Sequence, residues 1–212
     1  MQTNNTTKES TPVLEIRNLT QRFGGLTAIS DFNISLGGNA MAGLIGPNGA
    51  GKTTVFNLVS GFYQPTEGEI RICGEPIAEL KPHKVTALGV SRTFQNIRLW
   101  NDMTVLDNIK IAYHNRMSYG FFASILNTKK YKSEEATADS VALDLLKVFD
   151  LDGFAAEKAK NLPYGKQRKL EIARALATDP KILLLDEPAA GMNPQETEEL
   201  MATIKLLKDR FK

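Results

Sequence analysis

The pattern of hydrophobic and polar positions in the first 95 residues is typical of strands. Residues 13–20 form a short strand-like run, and residues 28–36 include an alternation of apolar and polar side chains. Residues 41–45 are apolar and lead into a glycine, which predicts a short buried parallel strand. Residues 68–74 and 90–95 predict two more strands, the first of them at a sheet edge.

A helical period follows between residues 104 and 150. Its apolar stripe has i, i+3 and i+4 spacing and consists of Ala138, Val141, Ala142, Leu145, Val148 and Phe149. We expect this stripe to pack in the core, with Ser133 as the N-cap of the helix. Strand character returns only at residues 181–185. A helical insertion into an α/β core explains this order better than two consecutive domains.

The last predicted helix begins with a capping pattern. Asn193 is the expected N-cap, Pro194 occupies the first helical position, and Glu196 is placed to complete a capping box. The expected buried stripe of this helix consists of Leu200, Ile204 and Leu207. The sequence ends at Lys212, inside the helical pattern, where a parallel sheet would ordinarily continue. We therefore expect the chain to be cut short.

Composition narrows the classes of function. The 212 residues carry a net charge of +2, from 26 basic and 24 acidic residues, which argues against a polycationic nucleic-acid binder. The longest aromatic and apolar stretch, residues 119–126, is far shorter than the ~18 residues of a membrane span. The single cysteine, Cys73, excludes an intramolecular disulfide, and we expect it to be a small buried residue. The polar N-terminus lacks a signal-peptide pattern, which predicts a cytosolic protein.

A glycine-rich segment lies between the apolar run at 41–45 and a predicted helix at 51–59. It fits the G-x-x-x-x-G-K-[ST] pattern with Gly46, Pro47, Asn48, Gly49, Ala50, Gly51, Lys52, Thr53 and Thr54. Glycines let successive backbone N–H groups point at phosphate oxygens, and the helix N-terminus adds positive charge. Lys52 is expected to reach the β and γ phosphates, and the Thr53 hydroxyl to ligate Mg²⁺.

Two adjacent carboxylates, Asp186 and Glu187, follow the strand predicted at residues 181–185. Strand ends in α/β sheets face the ligand crevice. Asp186 can hold Mg²⁺ directly or through water, and Glu187 can polarise a water for in-line attack on the γ-phosphate. The carboxylates and the glycine-rich loop together predict a nucleoside triphosphatase. The sequence lacks the Asn-Lys-x-Asp base-reading pattern, which counts against a GTPase.

From residue 13 to Lys212 the sequence resembles the ATP-binding subunits of ABC transporters. The resemblance implies an α/β fold, a P-loop NTPase (RecA-like) core with an antiparallel β subdomain and an inserted α-helical subdomain. The expected parts are a disordered tail (1–12), a first core part with the P-loop (13–95), the helical subdomain (96–162), and the signature helix with the second core part (163–212), incomplete at its C-terminus.

The resemblance also implies roles for residues outside these two motifs. Phe23 stands where the family carries an aromatic residue that stacks on adenine. Gln95 matches the Q-loop glutamine, which contacts Mg²⁺ or the attacking water and couples the helical subdomain to the nucleotide. The implied cofactors are ATP and Mg²⁺, with Thr53, Gln95 and Asp186 as metal ligands. Glu187 and Gln95 are the implied catalytic residues.

The signature motif departs from the family's usual Leu-Ser-Gly-Gly-Gln. Pro163, Tyr164 and Lys166 replace the serine, the first glycine and the glutamine, whereas Gly165 and the helix behind it remain. The resemblance implies that the Gly165 backbone and this helix N-terminus contact the γ-phosphate bound by the opposite subunit of a dimer. The serine hydroxyl that the family uses for this contact is missing from this sequence.

Three stretches, residues 92–100, 164–174 and 189–194, look closest to high-affinity branched-chain amino acid importers. The last of them occupies the D-loop position, with Asn193 where the family usually has aspartate. Urea and amide importers and the lipopolysaccharide-export ATPase are near relatives. Because this subunit does not read the transported substrate, the subgroup rests on analogy.

The implied partners are integral-membrane permease subunits, a second ABC ATPase subunit and, indirectly, a solute-binding protein, with no nucleic acid. The implied location is the cytoplasmic face of the cell membrane. Aromatic residues of the helical segment either help to form a docking groove or pack internally, namely Tyr113, Tyr119, Phe121, Phe122 and Tyr131. The family's switch histidine would lie beyond Lys212, and His83 and His114 cannot replace it. ATP binding is therefore expected to survive better than turnover.

Two other classes of function stay open. A soluble ABC-type ATPase acting on nucleic acid or ribosomes would be expected to have a second nucleotide-binding domain or a basic extension, and the sequence shows neither. A non-catalytic nucleotide-binding module is compatible with the degenerate signature. The basic residues of the signature helix, Arg168, Lys169 and Arg174, are interpreted as a solvated face rather than as a phosphate-binding row.

Overall fold

The computed structural model describes residues 11–117, 126 and 128–210. The chain forms two compact units, the first ending at Leu88 and the second running from Gly89 to Arg210. The domain limits that the sequence predicts at residues 95 and 162 stay predictions.

The first unit contains a four-stranded antiparallel sheet with the strand order β2-β1-β3-β4. Its strands are β1 (Leu14–Phe23), β2 (Leu26–Leu36), β3 (Glu67–Ile72) and β4 (Glu75–Pro76). Ile16 of β1 lies opposite Ile70 of β3, and both are buried, so one face of the sheet forms a core. Because β3 lies between β1 and β4, it is not the edge strand that the sequence predicts.

Two helices belong to the first unit, α1 (Lys52–Val59) and α2 (Pro82–Ala87). Helix α1 begins directly after Gly51, which is its N-cap, so the helix predicted at residues 51–59 is confirmed. Leu58 and Val59 at the end of α1 are buried. The proline at the start of α2 is well placed, because its missing N–H group would have no partner within the helix.

The buried strand predicted at residues 41–45 is wrong. The described strands form one four-stranded and one two-stranded sheet, and neither includes this segment. Met41 and Leu44 are exposed, and Ile45 is 95% exposed. A strand needs a neighbour that pairs its N–H and C=O groups, and no strand of the described ranges pairs with this one.

Cys73 is exposed, so the prediction that it is buried is also wrong. The residue lies in the two-residue turn between β3 and β4 and has a φ of 49°, followed by Gly74 with a φ of 83°. Positive φ angles at both central positions are typical of the tight turns that join antiparallel strands. The turn therefore directs the Cys73 side chain away from the sheet interior.

The second unit pairs two short parallel strands, β5 (Val90–Arg92) and β6 (Ile182–Leu184). Its helices in the described ranges are α3 (Val105–Tyr113), α4 (Lys129–Val148), α5 (Tyr164–Leu176) and α6 (Pro194–Arg210). Single 3₁₀ turns occur at His114–Arg116, Asp152–Phe154 and Ala159–Asn161. The strands predicted near residues 90 and 181 are thus present but shorter.

The core of the second unit consists of buried side chains from all four of these helices. The predicted stripe packs there as expected through Val141, Ala142, Leu145, Val148 and Phe149, and Ala138 is buried as well. The N-cap of α4 is Thr128, whose hydroxyl accepts a hydrogen bond from the N–H of Tyr131. Ser133 lies inside the helix, so its prediction as N-cap is wrong.

Helix α6 has the predicted capping box. The backbone N–H of Glu196 donates to Asn193 Oδ1 (2.9 Å), and the N–H of Asn193 donates to Glu196 Oε2 (3.0 Å). Leu200 and Leu207 of the predicted stripe are buried, and Ile204 is half-buried against the core. Each end of the reciprocal pair satisfies a donor that the helix itself leaves unpaired.

Replacing Asn193 with alanine is expected to lower the free energy of unfolding by about 1 kcal/mol, because the N–H of Glu196 loses its acceptor. Urea unfolding, followed by circular dichroism, measures this change. The matched control is Glu198→Ala, at an exposed position of the same helix. Equal midpoints for the two variants would contradict a stabilising role for the capping box.

Among the described residues, no helix is long and apolar enough to cross a membrane. Of the aromatic residues considered for a docking groove, Tyr113 packs against the core of the second unit, and Tyr131 is half-buried in α4. Tyr119, Phe121 and Phe122 lie outside the described residues.

Candidate functional site

The glycine-rich loop leads directly into α1. Gly49 and Gly51 have φ angles of 84° and 82°, which glycine adopts without the steric cost of a side chain. A Cβ on Gly51 would lie 2.6 Å from the carbonyl oxygen of Ala28 in β2, so the loop packs closely against this strand. The described first turn of α1 has neither a side-chain cap nor an acidic residue, which leaves its positive end for an anion.

Lys52 folds back over this loop. Its Nζ atom donates hydrogen bonds to the carbonyl oxygens of Gly46 (2.6 Å) and Pro47 (2.8 Å). The side chain of Thr53 is exposed, and that of Thr54 is half-buried. The ammonium group of Lys52 and the hydroxyl group of Thr53 thus both lie in the first turn of α1.

Phe23, the candidate adenine-stacking residue, lies at the end of β1 and is 43% exposed. Its ring packs edge-to-face on Tyr63, with the ring centroids 5.4 Å apart. Tyr63 is also exposed and was not selected from the sequence. The exposure of Phe23 disfavours its interpretation as an ordinary core aromatic. Because the two rings lie at 72° to each other, only one of them can stack face to face on a flat ring.

Asp186 lies two residues after the end of β6 and is buried. Its Oδ2 atom accepts a hydrogen bond from Arg92 Nη2 at 2.9 Å, and both side chains of this ion pair are less than a tenth exposed. Arg92 is the last residue of β5, so the parallel pairing of β5 with β6 sets this contact. The sequence did not predict that Arg92 pairs with Asp186.

Glu187 and Gln95 lie beside each other at the same end of this strand pair. Gln95 Nε2 donates to Glu187 Oε2 at 3.4 Å, and Glu187 is exposed. Thr93 continues from β5 and donates its backbone N–H to the carbonyl oxygen of Leu184 at 3.0 Å, which brings the two segments together. The second unit therefore groups Gln95, Asp186 and Glu187, as parallel strand ends do in α/β sheets.

The signature segment packs on the segment that follows Glu187. Gly165 is buried, and a Cβ there would lie 2.4 Å from Glu196 Oε1. The hydroxyl of Tyr164 donates to the carbonyl oxygen of Ala190 at 3.1 Å. Lys166 Nζ lies 3.6 Å from the centre of the Phe154 ring, a cation–π contact inside the second unit.

The basic residues of α5 do not form a solvated face, so that interpretation is wrong. Arg168 is 0% exposed and Lys169 is buried, with its Nζ donating to Glu199 Oε2 at 2.9 Å. Lys169 thereby holds the pKa of Glu199 below its ordinary value. Arg174 stacks on Trp100 at 4.9 Å, and burial lowers the pKa of its guanidinium. Amphipathic spacing alone does not reveal such burial, because the acceptors come from distant segments.

The candidate residues are therefore divided between the two units. The phosphate-loop residues and Phe23 belong to the first, and the carboxylates, Gln95 and Gly165 belong to the second. In the described chain, no group of three or more histidine, cysteine, aspartate or glutamate side chains forms a ready metal cluster.

Residues 29–190 match the family described as "ABC transporter". The chain is 48% identical over 199 residues to the high-affinity branched-chain amino acid transport ATP-binding protein BraF of Pseudomonas aeruginosa, covering 94% of this chain and 78% of BraF. It is 44% identical over 200 residues to the corresponding protein LivG of Escherichia coli K12, with the same coverage. The chain belongs to the ABC transporter family and is one of its ATP-binding ATPases.

Solved structures agree with this family. The ADP conformation of MJ1267, an ATP-binding cassette of an ABC transporter, aligns with a TM-score of 0.78 at 29% identity, covering 94% of this chain and 78% of that one. A dimeric post-hydrolysis state of the ATP-binding cassette MJ0796, bound to ADP and Pi, aligns with a TM-score of 0.75 at 25% identity, covering 93% and 83%. The predicted P-loop NTPase fold is confirmed.

Proposed function

We propose that this ATPase powers the import of branched-chain amino acids across a membrane. The observation that carries the proposal is the identity of 48% and 44%, over 94% of the chain, to two proteins named for that transport. In this role the protein would lie on the cytoplasmic face of the membrane and bind permease subunits. Residues 96–162 are the segment proposed to transmit its motion to them.

ATP binding is assigned to residues of the first unit. The backbone N–H groups of residues 46–54 and the N-terminus of α1 would bind the phosphates, with Lys52 as the cation that neutralises them. Phe23 would stack on the adenine ring, and Tyr63, whose ring lies at 72° to that of Phe23, would support Phe23 from the edge. The phosphate contacts use the backbone and one point charge, so none of them reads the transported solute.

Magnesium is the metal that the candidate ligands fit. The hydroxyl of Thr53, the carboxylate of Asp186 and the amide oxygen of Gln95 are hard oxygen donors, which Mg²⁺ prefers. Gln95 already donates to Glu187 through Nε2, so its oxygen is the atom suited to the metal. When bound, Mg²⁺ would neutralise charge on the β and γ phosphates.

Hydrolysis is assigned to Glu187 as general base. Its exposed carboxylate would take a proton from a water molecule that attacks the γ-phosphate in line, with Gln95 orienting the same water. Two such subunits are proposed to face each other head to tail, with the Gly165 helix of each completing the site of the other. Loss of the γ-phosphate would weaken this dimer and shift it toward an open state.

Transport is tested with the protein reconstituted in liposomes beside the permease and solute-binding proteins encoded next to its gene. We expect uptake of leucine that depends on ATP, with liposomes lacking ATP as the control. If the liposomes take up urea and not leucine, the proposed substrate class is wrong, but the proposed transport role stands. ATP hydrolysis that no membrane partner stimulates would contradict the transport role itself.

A further inference from the structure

Arg168, in the first half of α5, is fully buried and lies behind the candidate catalytic residues. Its guanidinium donates hydrogen bonds to five groups, the backbone carbonyls of Phe94, Asp186, Glu187 and Pro188 and the carboxylate of Glu171. A guanidinium carries five N–H donors in a fixed plane, so this set of acceptors uses the whole group. Four of the acceptors belong to the two segments that carry Gln95 and Glu187.

Arg168 contacts the backbone on both sides of Glu187, in the segment after β6. Arg168 Nη2 donates to the carbonyl oxygen of Asp186 at 2.7 Å and to that of Glu187 at 3.0 Å. These carbonyls belong to the peptide groups on either side of the Glu187 Cα atom, so one nitrogen restrains both its φ and its ψ. Glu187 has a φ of 44°, a left-handed conformation that is unfavourable for a residue with a side chain. The bonds from Arg168 stabilise this conformation.

The Nη1 atom of the same guanidinium contacts the segment that carries Gln95. Arg168 Nη1 donates to the carbonyl oxygen of Phe94, in the peptide group that precedes Gln95. Gln95 in turn contacts Glu187 through its side chain. One planar group therefore contacts the backbone next to both of these residues.

Glu171 makes this burial of a charge possible. Its side chain is 2% exposed, and it accepts from Arg168 Nη1 at 2.6 Å and from the backbone N–H of Arg98 at 3.2 Å. A buried cation is tolerated when it has both an opposite charge and a complete set of hydrogen bonds. Lysine has the charge but a single donor nitrogen, so it cannot reach acceptors on both segments.

We propose that Arg168 is a positioning residue for ATP hydrolysis, which sets the backbone conformation of Glu187 and Gln95 so that the base and the water-orienting amide face each other. It acts through these residues and does not touch the nucleotide. The proposal rests on the role of Glu187 as general base that is proposed above.

The test compares Arg168→Lys with the original protein in the assembled transporter, with kcat expressed per nucleotide-binding site. We expect kcat to fall about 10–100-fold, because the base is no longer held in line, whereas KM for ATP changes by less than about threefold. The matched control is Lys169→Met, which removes a buried cation of the same helix that pairs with Glu199. Its kcat is expected to equal that of the original protein.

A double variant separates positioning from general damage. If Arg168 acts through Glu187 and Gln95, adding Arg168→Lys to Glu187→Gln should slow hydrolysis by far less than the roughly 10–100-fold that Arg168→Lys costs the original protein. If the two losses of kcat multiply in full, the positioning role is overturned and the base assignment stands. The same holds if Arg168→Lys keeps its kcat while Glu187→Gln is slow. A normal kcat for Glu187→Gln would remove the base assignment and this proposal with it.

Folding is controlled with a second variant that combines Arg168→Gln with Glu171→Gln. It removes both charges of the buried ion pair together and keeps planar amide groups at both positions. We expect it to fold, to bind ATP and to show the same selective loss of kcat as the lysine variant. If both variants lose nucleotide binding and helical signal together, Arg168 is a determinant of the fold and the positioning role is overturned.

Discussion

Replacing Glu187 with glutamine is expected to lower kcat for ATP hydrolysis by about 10²–10⁴-fold, the usual contribution of a general base. Glutamine has nearly the same shape, and the left-handed backbone at this position is held by contacts to carbonyl oxygens that the substitution leaves in place. Steady-state phosphate release from the assembled transporter measures kcat. ATP affinity is expected to stay within about threefold, since the side chain acts on water rather than on the nucleotide.

Glu198→Gln is the matched control for this substitution. It removes an exposed carboxylate of the second unit, on α6, and is expected to leave kcat unchanged. Dimers of the Glu187→Gln variant should also remain ATP-bound for longer, because the γ-phosphate that holds them is not removed. A Glu187→Gln variant that hydrolyses ATP at more than about a third of the original rate would show that another group takes the proton.

Local rules were sufficient to predict the elements that carry the motifs. The start of α1 after Gly51 follows from a glycine that can adopt a positive φ, and the start of α6 follows from the reciprocal hydrogen bonds of Asn193 and Glu196. Both signals lie within a few residues of the boundary they set. Gln95 was identified by the family resemblance and not by a local rule, and the parallel pairing of β5 with β6 explains afterwards why it lies beside Glu187.

Features that depend on distant neighbours were not predictable in this way. Residues 41–45 have the composition of a buried strand, but strand structure requires a paired neighbour that the run itself does not encode. The exposure of Cys73 depends on the tight turn after β3, which a pattern of apolar residues does not reveal. In both cases the side chains are apolar, but whether they are buried depends on the backbone structure around them, which composition does not specify.

Arg168 shows the same difficulty at the functional site. On α5 it looks like one member of a basic helix face, and such residues are usually solvated. Its burial is possible only because Phe94 and Glu187, which are 74 and 19 positions away along the chain, present carbonyl oxygens to it. Sequence spacing within the helix contains no signal for these partners.

Replacing Lys52 with alanine is expected to weaken ATP binding by about 10–100-fold, as loss of a charge-assisted hydrogen bond to an anion does. In the structure its ammonium lies on the carbonyl oxygens of Gly46 and Pro47, against the loop assigned to the phosphates. Without it, the phosphates would keep the N–H groups, the α1 N-terminus and the bound Mg²⁺, but would lose their charged side-chain donor. Equilibrium binding of a fluorescent ATP analogue measures the dissociation constant.

Two comparisons show whether the lost affinity comes from phosphate recognition. Lys84→Ala removes an exposed lysine of α2 in the same unit and is expected to bind ATP normally. Adenosine, which has no phosphates, should bind the Lys52→Ala variant as it binds the original protein, because Phe23 and Tyr63 are unchanged. Equal losses for adenosine and ATP would mean that the substitution disrupts the loop as a whole. Unchanged ATP affinity would contradict the assignment of residues 46–54 as the phosphate site.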